Sequence, residues 1–161
     1  MQNSVAMIDD QAQIRIIYQQ QKKVSYSNIC ELFDLNFKKI CRLIPLLPAI
    51  KDDYIAVKDS LNNLHLTCHQ KSPYTGTYTL THQYDLISNT INRPDIRFKL
   101  YFDAQLLEVI SVCKETTINK YHPMRYRCSD FVFQWELNLF MLRWLEYCLD
   151  RYNGAKWQKN K

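Results

Sequence analysis

The stretch that decides the fold runs from Pro94 to Cys113 and reads PDIRFKLYFDAQLLEVISVC. Ile96, Phe98, Leu100 and Phe102 alternate with Arg97, Lys99 and Tyr101, the period of two of a strand with one buried face. Asp103 and Ala104 supply the turn. A two-residue turn there sets Leu100 opposite Leu107, Phe98 opposite Val109 and Lys99 opposite Glu108, so apolar pairs share one face and an opposite-charge pair lies on the other. A β-hairpin is predicted. Its second face carries Leu106, Ile110 and Val112 beside Glu108 and, being half apolar, is expected to be covered.

Upstream, the same alternation predicts strands over Tyr54–Lys58, Leu64–Gln70 and Tyr74–Tyr84. Turn chemistry separates them at Asp59–Asn63 and Lys71–Pro73, and a polar connection over Asp85–Arg93 leads into the hairpin. With the hairpin this makes an antiparallel sheet of about five strands. In the third strand Thr75, Thr77, Thr79 and Thr81 share a face expected at solvent or at a sheet edge, and Tyr74, Tyr78, Leu80 and His82 share the other.

Helical spacing flanks the strands. Ile29, Leu32, Phe33, Phe37, Ile40, Leu43 and Ile44 form one stripe, begun by a capping box at Asn28 and Glu31 and ended by Pro45 and Pro48. Asn36 within it reads as a buried amide bonded to the sheet or a loop, with a ligand contact as the other reading. In Asp130–Tyr152, Glu136, Arg143, Glu146 and Asp150 make a polar arc, and Phe133, Leu137, Phe140, Met141, Trp144, Leu145 and Cys148 face the sheet. Trp135, Leu139 and Leu142 lie outside that stripe. They are expected either to pack within the domain or to offer a surface to a partner.

The expected fold is therefore α+β, an antiparallel sheet packed by an N-terminal helix and a long C-terminal helix. Residues 1–24 read as a loosely held helical extension, 25–153 as a single domain, 114–129 as a long loop within it, and 154–161 as a frayed basic tail.

Composition sets limits on function. Among 161 residues only two are glycine, which excludes a glycine-rich phosphate loop and with it Rossmann or P-loop nucleotide binding. Hydrophobic residues at 47% supply a core, and the net charge of +5 is too modest to specify a partner. The apolar runs fall short of the roughly 20 residues that cross a bilayer, so no membrane partner is expected. Six cysteines without regular spacing, and without a secretory leader, read as reduced thiols of a cytoplasmic protein.

NICELFDLNFKKICRLIP, SPYTGTYTLTHQ, RPDIRFKLYFDAQLLEVIS and NLFMLRWLEYCL, in this order, resemble the YqiB-like family of uncharacterised gammaproteobacterial proteins. The resemblance runs from about Asn28 to Leu149 and is most specific in LYFDAQLLEV and in the last helix. It implies a small cytoplasmic α+β protein of no established activity. Pro73, Tyr74, Asp103, Glu108 and Asn138 match the family's pattern. Phe102 stands where the family has a hairpin His, and Val132, Phe133 and Gln134 replace an acidic-basic run, so no role attached to those polar positions carries over. A dehydrogenase label borne by some members finds no dinucleotide fingerprint here.

Chemistry is sparse. His65, His69 and His82 on paired strands could approach a metal, but a fourth ligand is not assigned and neither metal nor cofactor is expected. Cys68 and Cys113 read as inert strand thiols. Asp103 and Glu108 are the nearest approach to an acid-base pair, with turn formation and the Lys99 pairing as the simpler explanation. The candidate binding surface comprises Arg97, Lys99, Tyr101, Asp103, Glu108, Trp135, Leu139 and Leu142. The leading expectation is a non-catalytic protein-interaction module, with homodimerisation as one form of it. One alternative is a small-ligand binder or enzyme with a pocket between helix and sheet lined by Tyr74, Tyr78 and Tyr101. A further alternative is a single-stranded nucleic acid binder using Arg97, Lys99, Tyr101, Arg125, Arg127, Lys156 and Lys159.

Overall fold

The alternating segments form strands in a computed structural model that describes residues 26–58, 63–85, 90–113 and 131–160. The expected extension over 1–24 and loop over 114–129 lie outside the described residues. The elements are α1 (Tyr26–Leu43), a 3-10 turn (Leu47–Ala49), β1 (Tyr54–Val57), β2 (Leu64–Lys71), β3 (Thr75–Asp85), β4 (Thr90–Tyr101), β5 (Leu106–Cys113), α2 (Phe131–Arg151) and β6 (Lys156–Lys159). The strands make one antiparallel sheet in the order β5-β4-β3-β2-β1-β6. The fold is α+β.

The hairpin register is the one read from the sequence, with Leu100 on Leu107, Phe98 on Val109 and Lys99 on Glu108. Tyr101 also pairs with Leu106, so the connection is the four residues Phe102–Gln105 rather than the two-residue turn expected at Asp103 and Ala104, and Gln105 takes a φ of 57° to close it. Beyond Phe98 the alternation changes sense. Arg97 pairs with Ser111, leaving Ile110 as the extra residue of a β-bulge. The bulge corrects the expected half-apolar second face: Val112 turns to the core side opposite Ile96 and is buried, while Ile110 stays exposed.

Two further bulges shape the sheet. His69 is the extra residue on β2, between the Cys68–Tyr78 and Gln70–Thr77 pairs. On β4 the residues Arg93 and Pro94 oppose His82 alone, a position that tolerates a proline because a bulge leaves its missing N–H unrequired.

The sheet has six strands rather than five. The segment read as a frayed tail pairs with β1 as β6, setting Trp157 opposite Ala56 on the core side. From there the Trp157 Nε1–H donates to the Leu43 carbonyl at the end of α1, 3.0 Å away, supplying a partner that a helix C-terminus lacks. Ahead of it, Lys58 Nζ donates to the Arg151 and Asn153 carbonyls at 2.9 and 3.0 Å, and Gly154 turns the chain back with a φ of 78°.

Both helices pack on one face of the sheet. Phe37, Ile40, Leu43 and Ile44 of α1 and Leu137, Met141, Leu145 and Cys148 of α2 form one cluster with Leu64, Leu66, Leu80, Ile96, Phe98, Leu100, Leu107, Val109 and Val112. Each such side chain, fully buried, contributes about 1.5–3 kcal/mol relative to exposure. Tyr78 lies in this layer, stacked on Phe98 at 5.9 Å, with its ring over Gly76. A Cβ at Gly76 would come within 2.5 Å of Tyr78 Cε2, which is why a strand interior holds a glycine. α1 begins at Tyr26, so Asn28 lies inside its first turn rather than capping it.

Candidate binding face

Because the helices take one face, the threonine face of β3 is turned to the other side, although β3 is a central strand and not an edge. Register sets three rows across this open face. One row is Thr67, Thr79, Arg97 and Ser111; the next is Gln70, Thr77, Lys99 and Glu108; the third is His65, Thr81 and Asp95. The five hairpin candidates fall here or at its rim.

Arg97 is exposed, and its guanidinium makes no ion pair or hydrogen bond among the described residues. Its acidic neighbours are engaged elsewhere. Thr81 Oγ1 donates to Asp95 Oδ1 at 2.7 Å, and the Tyr101 hydroxyl donates to Glu108 Oε2 at 3.0 Å. Lys99 stands opposite Glu108, and its ammonium lies 4.9 Å from the Tyr101 ring centre. His69, the bulged residue, holds its Nε2 2.6 Å from Thr79 Oγ1. Burial first, and the Arg97 charge second, lower the His69 pKa from the usual 6.5, against the opposing pull of Asp53 and Asp95.

The rest of the expected set is dispersed. Asp103 is exposed in the hairpin turn, and no hydrogen bond joins it to Glu108 among the described residues. Trp135, Leu139 and Leu142 are 3%, 5% and 0% exposed, packed with Ile29, Leu32 and Leu35 of α1. The second apolar stripe of α2 is thus an intramolecular seam and not a surface, because α1 lies alongside the helix as well as on the sheet.

Among the described residues Asn36 is bonded to a helix rather than to the sheet or a loop. Its Nδ2 donates to the Asn138 carbonyl of α2 at 2.8 Å.

Tyrosines and histidines divide between faces too. Tyr78 is buried on the helix side with its hydroxyl 3.3 Å from the Ile50 carbonyl, Tyr101 is on the open face, and Tyr74 is 67% exposed in the β2–β3 turn. They do not line one pocket. His82 lies on the helix side, its Nε2 2.6 Å from the Tyr152 hydroxyl and its ring beside Trp144, whereas His65 opposes Thr81 on the open face. Among the described residues no three His, Cys, Asp or Glu side chains gather as metal ligands. Cys30, Cys41, Cys68 and Cys148 are free thiols, and burial raises the pKa of the last three, favouring the protonated thiol.

Sequence reading missed Thr79, Ser111 and His69 as neighbours of Arg97, since two of the three juxtapositions depend on bulges. The threonine row was the signal available.

A family described as "Protein of unknown function (DUF1249)" matches residues 39–153. The chain belongs to that family. No curated protein and no solved structure matches it. The DUF1249 match takes in β1–β5 and all of α2, and so the three rows of the open face, and it stops before β6. No helix among the described residues is long and apolar enough to cross a membrane.

Proposed function

We propose that this DUF1249 protein is a non-catalytic protein-interaction module that engages its partner through the open face of the sheet. The observation that carries the reading is the one-sided packing of α1 and α2, which leaves Arg97, exposed and without a counter-ion among the described residues, amid a polar face. Mixed charge on that face, Arg97 and Lys99 beside Asp95 and Glu108, suits a protein surface better than a nucleic acid backbone. Tyr101, bonded to Glu108 with Lys99 over its ring, is poorly placed to stack a base.

Strand-to-strand pairing of two copies is disfavoured. β6 is short and carries Lys156 and Lys159, and β5 is bulged with its Val109 N–H taken by Asn138. The reading accordingly places the partner on the open face rather than at a strand edge. The reading includes the cytoplasmic location and YqiB-like kinship that the quoted segments imply.

Affinity capture from cell extract tests it with three baits: wild type, the doubly reversed R97E/K99E, and the α2 surface variant R143Q. The reading expects a protein retained by wild type and R143Q and lost by R97E/K99E. Equal capture by all three, or none by any, overturns it.

A further inference from the structure

The structure assigns a chemistry to the centre of the open face: we propose that Arg97, flanked in register by the hydroxyls of Thr79 and Ser111, is a subsite for a side-chain carboxylate of an acidic partner segment. The proposal rests on the reading of this face as the interaction surface, and names the group engaged there.

Three observations carry it. First, the guanidinium is exposed while its two register partners are more deeply set, Thr79 half-buried and Ser111 buried. A planar fork of donors raised above a hydroxyl row matches a carboxylate, which accepts two parallel N–H bonds from arginine.

Second, the protein's own acids near Arg97 are not spent on it. Asp95 accepts from Thr81 and Glu108 accepts from Tyr101, so the cation is held amid acids without being neutralised by direct contact.

Third, Thr79 Oγ1 is held 2.6 Å from His69 Nε2, and in the tautomer that carries the proton on Nε2 the threonine hydroxyl can donate to an anion beside Arg97.

Asp95 and Lys99 lie two residues to either side of Arg97 on the same strand face, each about 7 Å along the chain direction, so charges of opposite sign flank the subsite.

The test is a titration of isotope-labelled protein with acetyl-Glu-Glu-Glu-amide, following the Arg97 Nε–H and the Thr79 and Ser111 amide resonances. Acetyl-Gln-Gln-Gln-amide and inorganic phosphate serve as comparisons. Saturable shifts are expected with the glutamate peptide, weakened roughly tenfold or more in Arg97→Gln, and absent with the glutamine peptide.

No shift, an equal response from Arg97→Gln, or tighter binding of phosphate overturns the carboxylate assignment. If the peptide fails while capture still depends on Arg97 and Lys99, the subsite is wrong and the interaction face stands. If capture is equal for every bait while the peptide binds, the face is not the partner surface, and a subsite for a partner's carboxylate falls with it.

Discussion

The side-chain oxygen of Asn138 accepts the backbone N–H of Val109 at 3.1 Å, tying the middle of α2 to the bulge of β5. The same amide donates from Nδ2 to the Gln134 carbonyl at 2.8 Å, and the Asn138 carbonyl receives Asn36. One buried residue therefore joins both helices to the sheet where the alternation changes sense. Asn138→Leu leaves the Val109 N–H without its acceptor in the core, and a loss of about 1–3 kcal/mol is expected in urea denaturation. Faster hydrogen exchange at Val109 should accompany it. Unchanged stability with unchanged exchange would mean that the bulge is held by strand pairing alone.

Gly76 is predicted to be the least replaceable strand position. Alanine there forces the Tyr78 ring off Phe98 or moves the backbone, an overpacking cost of about 1–3 kcal/mol. Thermal melts of Gly76→Ala, with and without Tyr78→Leu, separate the causes. The second substitution should recover part of the loss of the first, since it removes the atoms that collide.

Trp157→Phe keeps an aromatic ring on β6 and removes only the donor to Leu43. A loss of about 1 kcal/mol is expected. Truncation after Ala155 removes the strand as well and should cost more. Equal stability of the truncated and full chains would show that β6 adds nothing.

His69 gives a pH dependence with a definite sign. Its folded pKa is lowered, by burial and then by Arg97, so the unfolded chain takes up the proton more readily than the folded protein. Its contribution to stability is full above the usual 6.5 and is lost as pH falls through the folded value. Following its ring proton by NMR, the pKa should lie below 6.5 in the wild type and move upward in Arg97→Gln. No movement would place Arg97 too far from His69 for the subsite described above.

The hairpin register was legible because Ile96, Phe98 and Leu100 alternate cleanly and Asp103 marks the turn. What the pattern could not carry is where it breaks. Ile110 and Val112 are both apolar, so the alternation does not show that Ile110 is the extra residue of a bulge, which the pairing with β4 fixes. The sixth strand was hidden because Lys156, Gln158 and Lys159 read as solvated tail. Its one large apolar side chain is Trp157, whose indole reaches the Leu43 carbonyl. The second stripe of α2 was seen as apolar, but two destinations fit Trp135, Leu139 and Leu142, and choosing between them required the placement of α1. Arg97 was legible as a candidate; its row of Thr79 and Ser111 was not, since pairing across bulges is a tertiary property.

One measurement tests most directly the claim that α1 and α2 both pack on one face of the sheet while Arg97 stands exposed on the other. Relaxation enhancement by a soluble gadolinium chelate compares the Arg97 Nε–H and Thr79 amide with the Trp135 indole and Leu139 methyl signals in the same sample. The account predicts strong broadening at Arg97 and little at Trp135 and Leu139. Broadening at Trp135 and Leu139 as strong as at Arg97, or none at Arg97, would contradict it.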